Sequence, residues 1–240
     1  MKEYHKIQTI FKRDPKNMMK TLINNAFSLP EFEYLQNNEW IFTEKVDGTN
    51  IRVMFDGKVI TFGGKTDNAQ IPNQLVNKLN EMFLPLLSTF EEIFKPDPKG
   101  ELPQVCLHGE GYGAKIQKGG GNYRQDQSFV LFDVKIDEWW LMRNDIEDIA
   151  SKLSLDVVPI IGKGTLIDMV NLAKEGFKSQ WGDFQAEGIV ARTAVELKQR
   201  NGRRLITKIK HKDFRAMKEI YTWILICKVS KQCNNSFWQI

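Results

Sequence analysis

Glu44-Lys45-Val46-Asp47-Gly48-Thr49-Asn50 places a lysine at the end of an apolar strand, follows it with a polar turn and starts a second strand at once. Such a lysine can be held at the floor of a cleft with little freedom. A lysine that attacks phosphorus must be neutral, so its pKa has to fall from about 10.4 through desolvation or cationic neighbours. A surface lysine beside a turn-forming Asp-Gly pair has the same local sequence, so the segments around it must decide. Downstream, residues 51–55 and 58–62 are apolar-rich runs joined by Asp56-Gly57, the composition of a tight hairpin turn.

Further out, residues 105–108, 129–135, 188–192 and 204–210 read as strands, several with near-continuous apolar character and so buried. Helical spacing appears at Leu75, Val76, Leu79, Met82 and Phe83, and again at Ile146, Ile149, Ala150 and Leu153. Thr165, followed by Asp168 and closed by Gly176, predicts a third, capped helix. Residues 95–100, with two prolines and a glycine, form an exposed loop, and residues 114–124 form a mobile glycine-rich basic loop. Strands with interspersed helices argue for an α+β or mixed-sheet domain, not a doubly wound parallel one. Gly119-Gly120-Gly121 lacks the Lys-[Ser/Thr] ending of a P-loop, so nucleotide binding must use another scheme.

The 240 residues are 42% hydrophobic and 27% charged, an ordinary globular balance. No run approaches the roughly 20 apolar residues of a membrane span, and the N-terminus lacks a signal-peptide pattern. Cys106, Cys227 and Cys233 fit no zinc spacing and no even disulfide set, which points to free thiols in a reducing, cytoplasmic compartment. The net charge of +4 is mild, but residues 198–218 carry nine Lys or Arg and a single acid, Asp213. Part of that block alternates with Leu205, Ile206 and Ile209, which predicts a strand holding charges in fixed directions.

Other residue groups suit nucleotide chemistry. His108-Gly109-Glu110-Gly111-Tyr112-Gly113 puts a carboxylate where glycines permit close ligand approach, and Glu110 can accept from a ribose hydroxyl. The segment Phe129-Val130-Leu131-Phe132-Asp133-Val134 offers an aromatic to stack on a purine, although a phenylalanine there also suits a core. Glu187 stands at the start of a buried strand, where its oxygens can take a divalent cation. Lys208 and Lys210 share one strand face and can neutralise a triphosphate.

Taken in order, Lys45-x-Asp47-Gly48, the Glu110 segment, the 129–134 segment, Ala186-Glu187-Gly188-Ile189-Val190 and Lys208-Ile209-Lys210 resemble the motifs of the covalent nucleotidyltransferases. With Asn50 in its place, the chain looks most like the nick-sealing RNA ligases of the RNA ligase 2 type, over about residues 40–214. The resemblance implies an α+β, ATP-grasp-like nucleotidyltransferase domain of mixed, mainly antiparallel sheets with flanking helices. It also implies an enzyme that uses ATP with Mg²⁺ or Mn²⁺. Lys45 would form a lysyl-AMP, with Asp47, Lys208 and Lys210 completing the catalytic set. Glu44, Asn50, Lys65, Glu110, Phe132 and Glu187 would bind the nucleotide, with Glu187 also at the metal; Phe129 remains a second candidate for the base stack.

The implied partner is RNA with 5′-phosphate and 3′-hydroxyl ends, in a nicked duplex. The basic segment and Lys115, Lys118 and Arg124 would hold its backbone, and no membrane is involved. Residues 1–214 would form the adenylyltransferase domain. Residues 215–240 would be a short tail, in which 220–229 packs on the core as one helix or strand, so that sealing would draw on an accessory domain or protein. Three other functions stay open: an ATP-dependent DNA ligase, a GTP-dependent capping guanylyltransferase, and a non-catalytic RNA-binding module.

Overall fold

A computed structural model describes residues 3–214. The first strands are β1 (Gln8–Thr9), β2 (Phe11–Arg13) and β3 (Leu22–Phe27), followed by helix α1 (Pro30–Tyr34). Next come β4 (Trp40–Lys45), β5 (Thr49–Phe55), β6 (Ile60–Gly63), α2 (Asn73–Phe83) and α3 (Leu87–Ile93). The middle of the chain adds β7 (Val105–Gly113), α4 (Gly120–Tyr123), β8 (Gln127–Ile136), β9 (Trp139–Trp140) and α5 (Arg143–Lys152). β10 (Ile160–Gly164), α6 (Leu166–Glu175), β11 (Gly188–Thr193) and β12 (Ile206–Lys210) complete it. The expected α+β class with mainly antiparallel sheets is what the chain forms.

The chain divides into two compact units. Unit one comprises Thr43–Ile161 and Lys178–Ala186 with the N-terminal segment through Lys6. Its sheet has the order β6-β5-β7-β8-β9, antiparallel throughout. Strand alternation splits the side chains between two faces. Ile51, Val53, Phe55, Val105, Leu107, Phe129, Leu131 and Val134 pack in one core with Leu75, Leu79 and Phe83 of α2, Phe90 of α3 and Ile146 and Ile149 of α5. Burying each large apolar side chain contributes about 1.5–3 kcal/mol, so this face anchors the unit. The alternate positions, Asn50 and Arg52 on β5 and His108 and Glu110 on β7, are left to the other face.

Unit two comprises Ile7–Phe42, Gly162–Phe177 and the chain from Glu187. It holds the sheet of order β1-β12-β11-β4-β10 and the β2–β3 pair; β4 begins there and ends in unit one at Lys45. In it β11 and β12 pair antiparallel with Val190 opposite Lys208. Thr165 and Asp168 form a reciprocal capping box at the start of α6, and Gly176 closes that helix at φ 86°.

The sequence placed the hairpin, the three long helices and the central strands correctly; it left β1–β3, α1, β9 and β10 unread, and other elements differ from expectation. β7 does not stop at His108; it runs through the glycines to Gly113. A Cβ at Gly109 would lie 2.2 Å from the Phe129 ring, and one at Gly111 2.5 Å from Leu75, so glycine is what lets the strand continue over the core. A one-turn helix, α4, forms within the basic loop, and α3 follows a 3₁₀ turn containing Pro85 that hides its continuation from α2. The residue range 220–229 lies outside the described residues, as do Cys227 and Cys233. Cys106 is buried and free, its thiol pushed up to about 12 by burial. Among the described residues no helix is long and apolar enough to cross a membrane.

Candidate active site

Within unit one, Lys45 ends β4 half-buried, and its Nζ donates to the Val46 carbonyl at 3.2 Å. Val46 is buried with Tyr112, Tyr123, Val130 and Val158, so the turn after the lysine is rooted in a small apolar cluster. The Asp47 N–H donates to the Tyr123 hydroxyl at 3.1 Å, and Gln117 Nε2 donates to the Gly48 carbonyl at 3.0 Å. On its other side Gly48 rides on β7: a Cβ there would stand 2.2 Å from the Gly111 oxygen and 2.8 Å from Glu110 Cγ. The Lys45–Gly48 turn is therefore pinned between the 114–126 loop and the Glu110 position, and the sequence-predicted Lys45, Asp47 and Glu110 are neighbours.

Asn50 faces Glu110 across the β5–β7 ladder. Its Oδ1 is buried and has no hydrogen-bond partner among the described residues. A buried amide oxygen without a partner costs about 1–3 kcal/mol, and a ligand hydroxyl or amine donor would remove that cost. A β-bulge sets the two candidate phenylalanines apart. In the β7–β8 ladder His108 pairs with Asp133 and Gly109 with Leu131, leaving Phe132 as the extra residue. Phe129 is 1% exposed and edge-on to Phe83 in the core. Phe132 is instead half-buried beside the Val46–Tyr112 cluster, so it alone of the two has ring surface for a base.

Two expectations change in detail. Glu44 points inward, 1% exposed, accepting from Ser179 Oγ at 2.6 Å and the Gln180 N–H at 2.8 Å. Burial raises its pKa, against the lowering effect of those two donors. Its carboxylate is held by the 178–186 segment. Lys65 is exposed on the loop after β6, and that loop is held by a residue the sequence reading missed. Arg52, 1% exposed, donates from Nε to the Gly64 carbonyl at 2.9 Å and from Nη2 to Asp67 Oδ1 at 2.7 Å. Its guanidinium holds the Asp67 carboxyl below the usual carboxylate range.

Other supporting residues were also missed. Tyr4 donates to Asp133 Oδ2 at 2.7 Å, and its ring meets Phe132 edge-on at 5.2 Å between centroids. Gln117 and Tyr123, noted only as part of a loop, hold the lysine turn. In that loop Arg124 is paired with Asp126 and lies 5.8 Å from the Tyr112 ring centroid, while Lys115 and Lys118 are exposed.

In unit two, Lys208 and Lys210 lie on one side of β12, opposite Val190 and Gly188 of β11. Glu187, immediately before β11, is 9% exposed and ion-paired with Lys210. Its carbonyl accepts from the His211 N–H at 2.9 Å. The Lys210 N–H donates to Asp213 Oδ2 at 3.0 Å, and Asp213 is paired with Arg13 at 3.0 Å. Among the described residues no three His, Cys, Asp or Glu side chains converge as a ready metal site, so a divalent ion here would need phosphate oxygens or water beside Glu187.

Among curated proteins no sequence matches the chain. Solved structures of a Naegleria gruberi RNA ligase do share its fold. A variant of that enzyme with ATP and Mn matches with a TM-score of 0.61 at 16% identity, over 88% of this chain and 56% of that one. An apo variant matches with a TM-score of 0.59 at 18% identity, over 90% and 60%. The chain thus spans less than two thirds of the length of the ligases it resembles. The model of the RNA ligase family matches residues 38–210, the span that contains every candidate site residue above, and the chain belongs to that family.

Proposed function

We propose that this chain is the adenylyltransferase part of an ATP-dependent RNA ligase, with Lys45 as the nucleophile. The observation that carries the reading is the Lys45–Gly48 turn seated on Glu110, with the Asn50 amide oxygen, which has no partner among the described residues, across the ladder. That arrangement fixes an amine, a carboxylate and an acceptor near one another, as attack on a bound nucleotide requires.

In the first step the neutral Lys45 amine attacks the α-phosphorus of ATP, a P–N bond forms, and the bond to the pyrophosphate leaving group breaks. The amine loses its proton as the phosphoramidate forms. Glu110 binds a ribose hydroxyl, Phe132 stacks on adenine, and Asp47 and Asn50 support the nucleotide. Lys65 contacts a phosphate or sugar. Lys208 and Lys210 meet the charge that develops on the α-phosphate. Glu187 is the residue proposed to hold Mg²⁺ or Mn²⁺, which when bound offsets phosphate charge. AMP then passes to a 5′-phosphate of RNA, and a 3′-hydroxyl displaces it to seal a nick. These roles fall within residues 1–214.

The test is incubation with each α-labelled nucleotide and Mg²⁺ or Mn²⁺, followed by denaturing electrophoresis, on the wild type and Lys45→Ala. Acid-labile label from ATP, lost in the variant, is expected. Label from GTP alone would favour a capping guanylyltransferase, and no label from either would favour a binding module. Sealing of nicked DNA in preference to nicked RNA would favour a DNA ligase.

A further inference from the structure

Unit two carries a second feature built for a ligand, apart from the lysine chemistry: the hairpin that joins β11 to β12. Its arms are tied by Leu205 N–H to Leu197 O at 2.9 Å and by Gln199 N–H to Arg203 O at 2.7 Å. The tip closes through Gly202 N–H to Gln199 O at 2.9 Å, with Gly202 at φ 80° and the Arg203 N–H donating to Asn201 Oδ1 at 3.0 Å. Gln199 Nε2 donates to Glu31 Oε1 at 3.2 Å, which ties the tip to α1. The hairpin is therefore a turn with a defined backbone course.

Its arginines are treated differently. Arg204, at the root, is buried and gives both sides of its guanidinium to Glu196, with Nη2 to Oε2 at 2.9 Å. Lys198, Arg200 and Arg203 are exposed and make no ion pair among the described residues. No acid occurs between Leu197 and Lys212, so nothing in that stretch of sequence balances them. Three like charges on one short turn repel each other, and a binding partner that supplies several anions would relieve this.

The tip also indicates the chemistry of that partner. Gln199-Arg200-Asn201-Gly202-Arg203 has no aromatic or aliphatic anchor of the kind that fills a protein-interface pocket. It offers guanidinium and amide groups, which suit phosphate and sugar oxygens. We propose that this hairpin is a docking tip for the phosphate backbone of a polynucleotide, held rigid by the Arg204–Glu196 root. The proposal rests on the ligase reading for its biological sense, but it can be tested without it.

The probe is a single-stranded, 5′-phosphorylated RNA oligonucleotide. Binding is measured at several salt concentrations for the wild type, for a Lys198→Ala/Arg200→Ala/Arg203→Ala variant and for a charge control, Lys95→Ala/Lys99→Ala, in the exposed 95–100 loop. Losing three phosphate contacts should make the slope of log K against log salt shallower by about 2, which is about a hundredfold weaker binding near 0.1 M salt. Label from ATP is read on the same samples and should be unchanged in the hairpin variant. A hairpin variant that keeps the wild-type slope overturns the proposal, and so does a charge control that loses as much. A wild type that takes no label yet shows the hairpin-dependent slope overturns the ligase reading and leaves the docking tip standing.

Discussion

Replacing Gly48 by alanine adds one methyl group where the lysine turn crosses β7. That Cβ would stand 2.2 Å from the Gly111 oxygen and 2.8 Å from Glu110 Cγ. The Glu110 side chain can swing aside. The Gly111 oxygen cannot, because β7 is paired with β5 on one side and β8 on the other through that residue. Restoring an ordinary van der Waals separation displaces the turn by about 1 Å. The two bonds that hold the turn, Tyr123 at 3.1 Å and Gln117 at 3.0 Å, have little slack to absorb such a shift. Overpacking of this kind costs about 1–3 kcal/mol of stability. For a nucleophile poised for in-line attack, a misplacement of about 1 Å costs about a hundredfold in rate. The assay is single-turnover formation of protein–AMP with saturating ATP, beside urea denaturation of the same sample. Gly100→Ala is the control: its φ of 84° strains an alanine, but a Cβ there meets nothing within 4 Å. The control should lose a little stability and no rate. A Gly48→Ala protein that adenylates within about threefold of wild type would refute the claim that this contact places Lys45.

The two phenylalanines should separate cleanly: Phe129→Ala costs about 3–5 kcal/mol by opening the core, whereas Phe132→Ala raises KM for ATP with the denaturation midpoint little changed. A Phe132 variant with wild-type KM would remove the base-stacking role. Thr165→Ala, which deletes the α6 cap, should lower stability by about 1 kcal/mol in urea denaturation and leave ATP labelling alone; no loss would mean that Asp168 caps the helix alone. Burial raises the Glu44 pKa above 4.5, so folded protein holds that proton more tightly than unfolded protein. Stability from this group is present below the unfolded value and is lost as pH rises through the raised folded value. Glu44→Gln removes that loss, so its stability relative to wild type should rise with pH across this window; a constant difference would sink the assignment.

Most of what is local was legible in the sequence. The apolar alternation of residues 51–55, the Asp56-Gly57 turn and the Thr165–Asp168 cap are decided by neighbours in the chain, and the structure places them as read. The misses are long-range pairings. Tyr4 meets Asp133 across 129 residues, and Glu44 meets Ser179 across 135. Neither partner carries a mark of the other. The difference between Phe129 and Phe132 lies in a single unpaired residue in a ladder, and a bulge leaves no periodic signature in the continuous apolar run 129–132. Arg52 did leave a trace: it is the charged residue between buried Ile51 and Val53, and alternation alone assigns it to the face of Asn50.

The ion pair of Glu187 with Lys210 bears on how the proposed chemistry tolerates its own charges. A buried charge without a partner costs several kcal/mol, and Glu187 is 9% exposed. Before nucleotide binds, the two residues neutralise each other, Lys210 at the end of β12 and Glu187 just before β11. In the proposed reaction Lys210 turns to the α-phosphate and Glu187 to the divalent ion, so one ion pair is exchanged for two interactions with the metal–nucleotide complex. Each charge keeps a counter-charge throughout, and neither ligand alone satisfies both residues. On the proposed roles, exchanging this ion pair for the metal–nucleotide complex would favour joint binding of nucleotide and metal over either one.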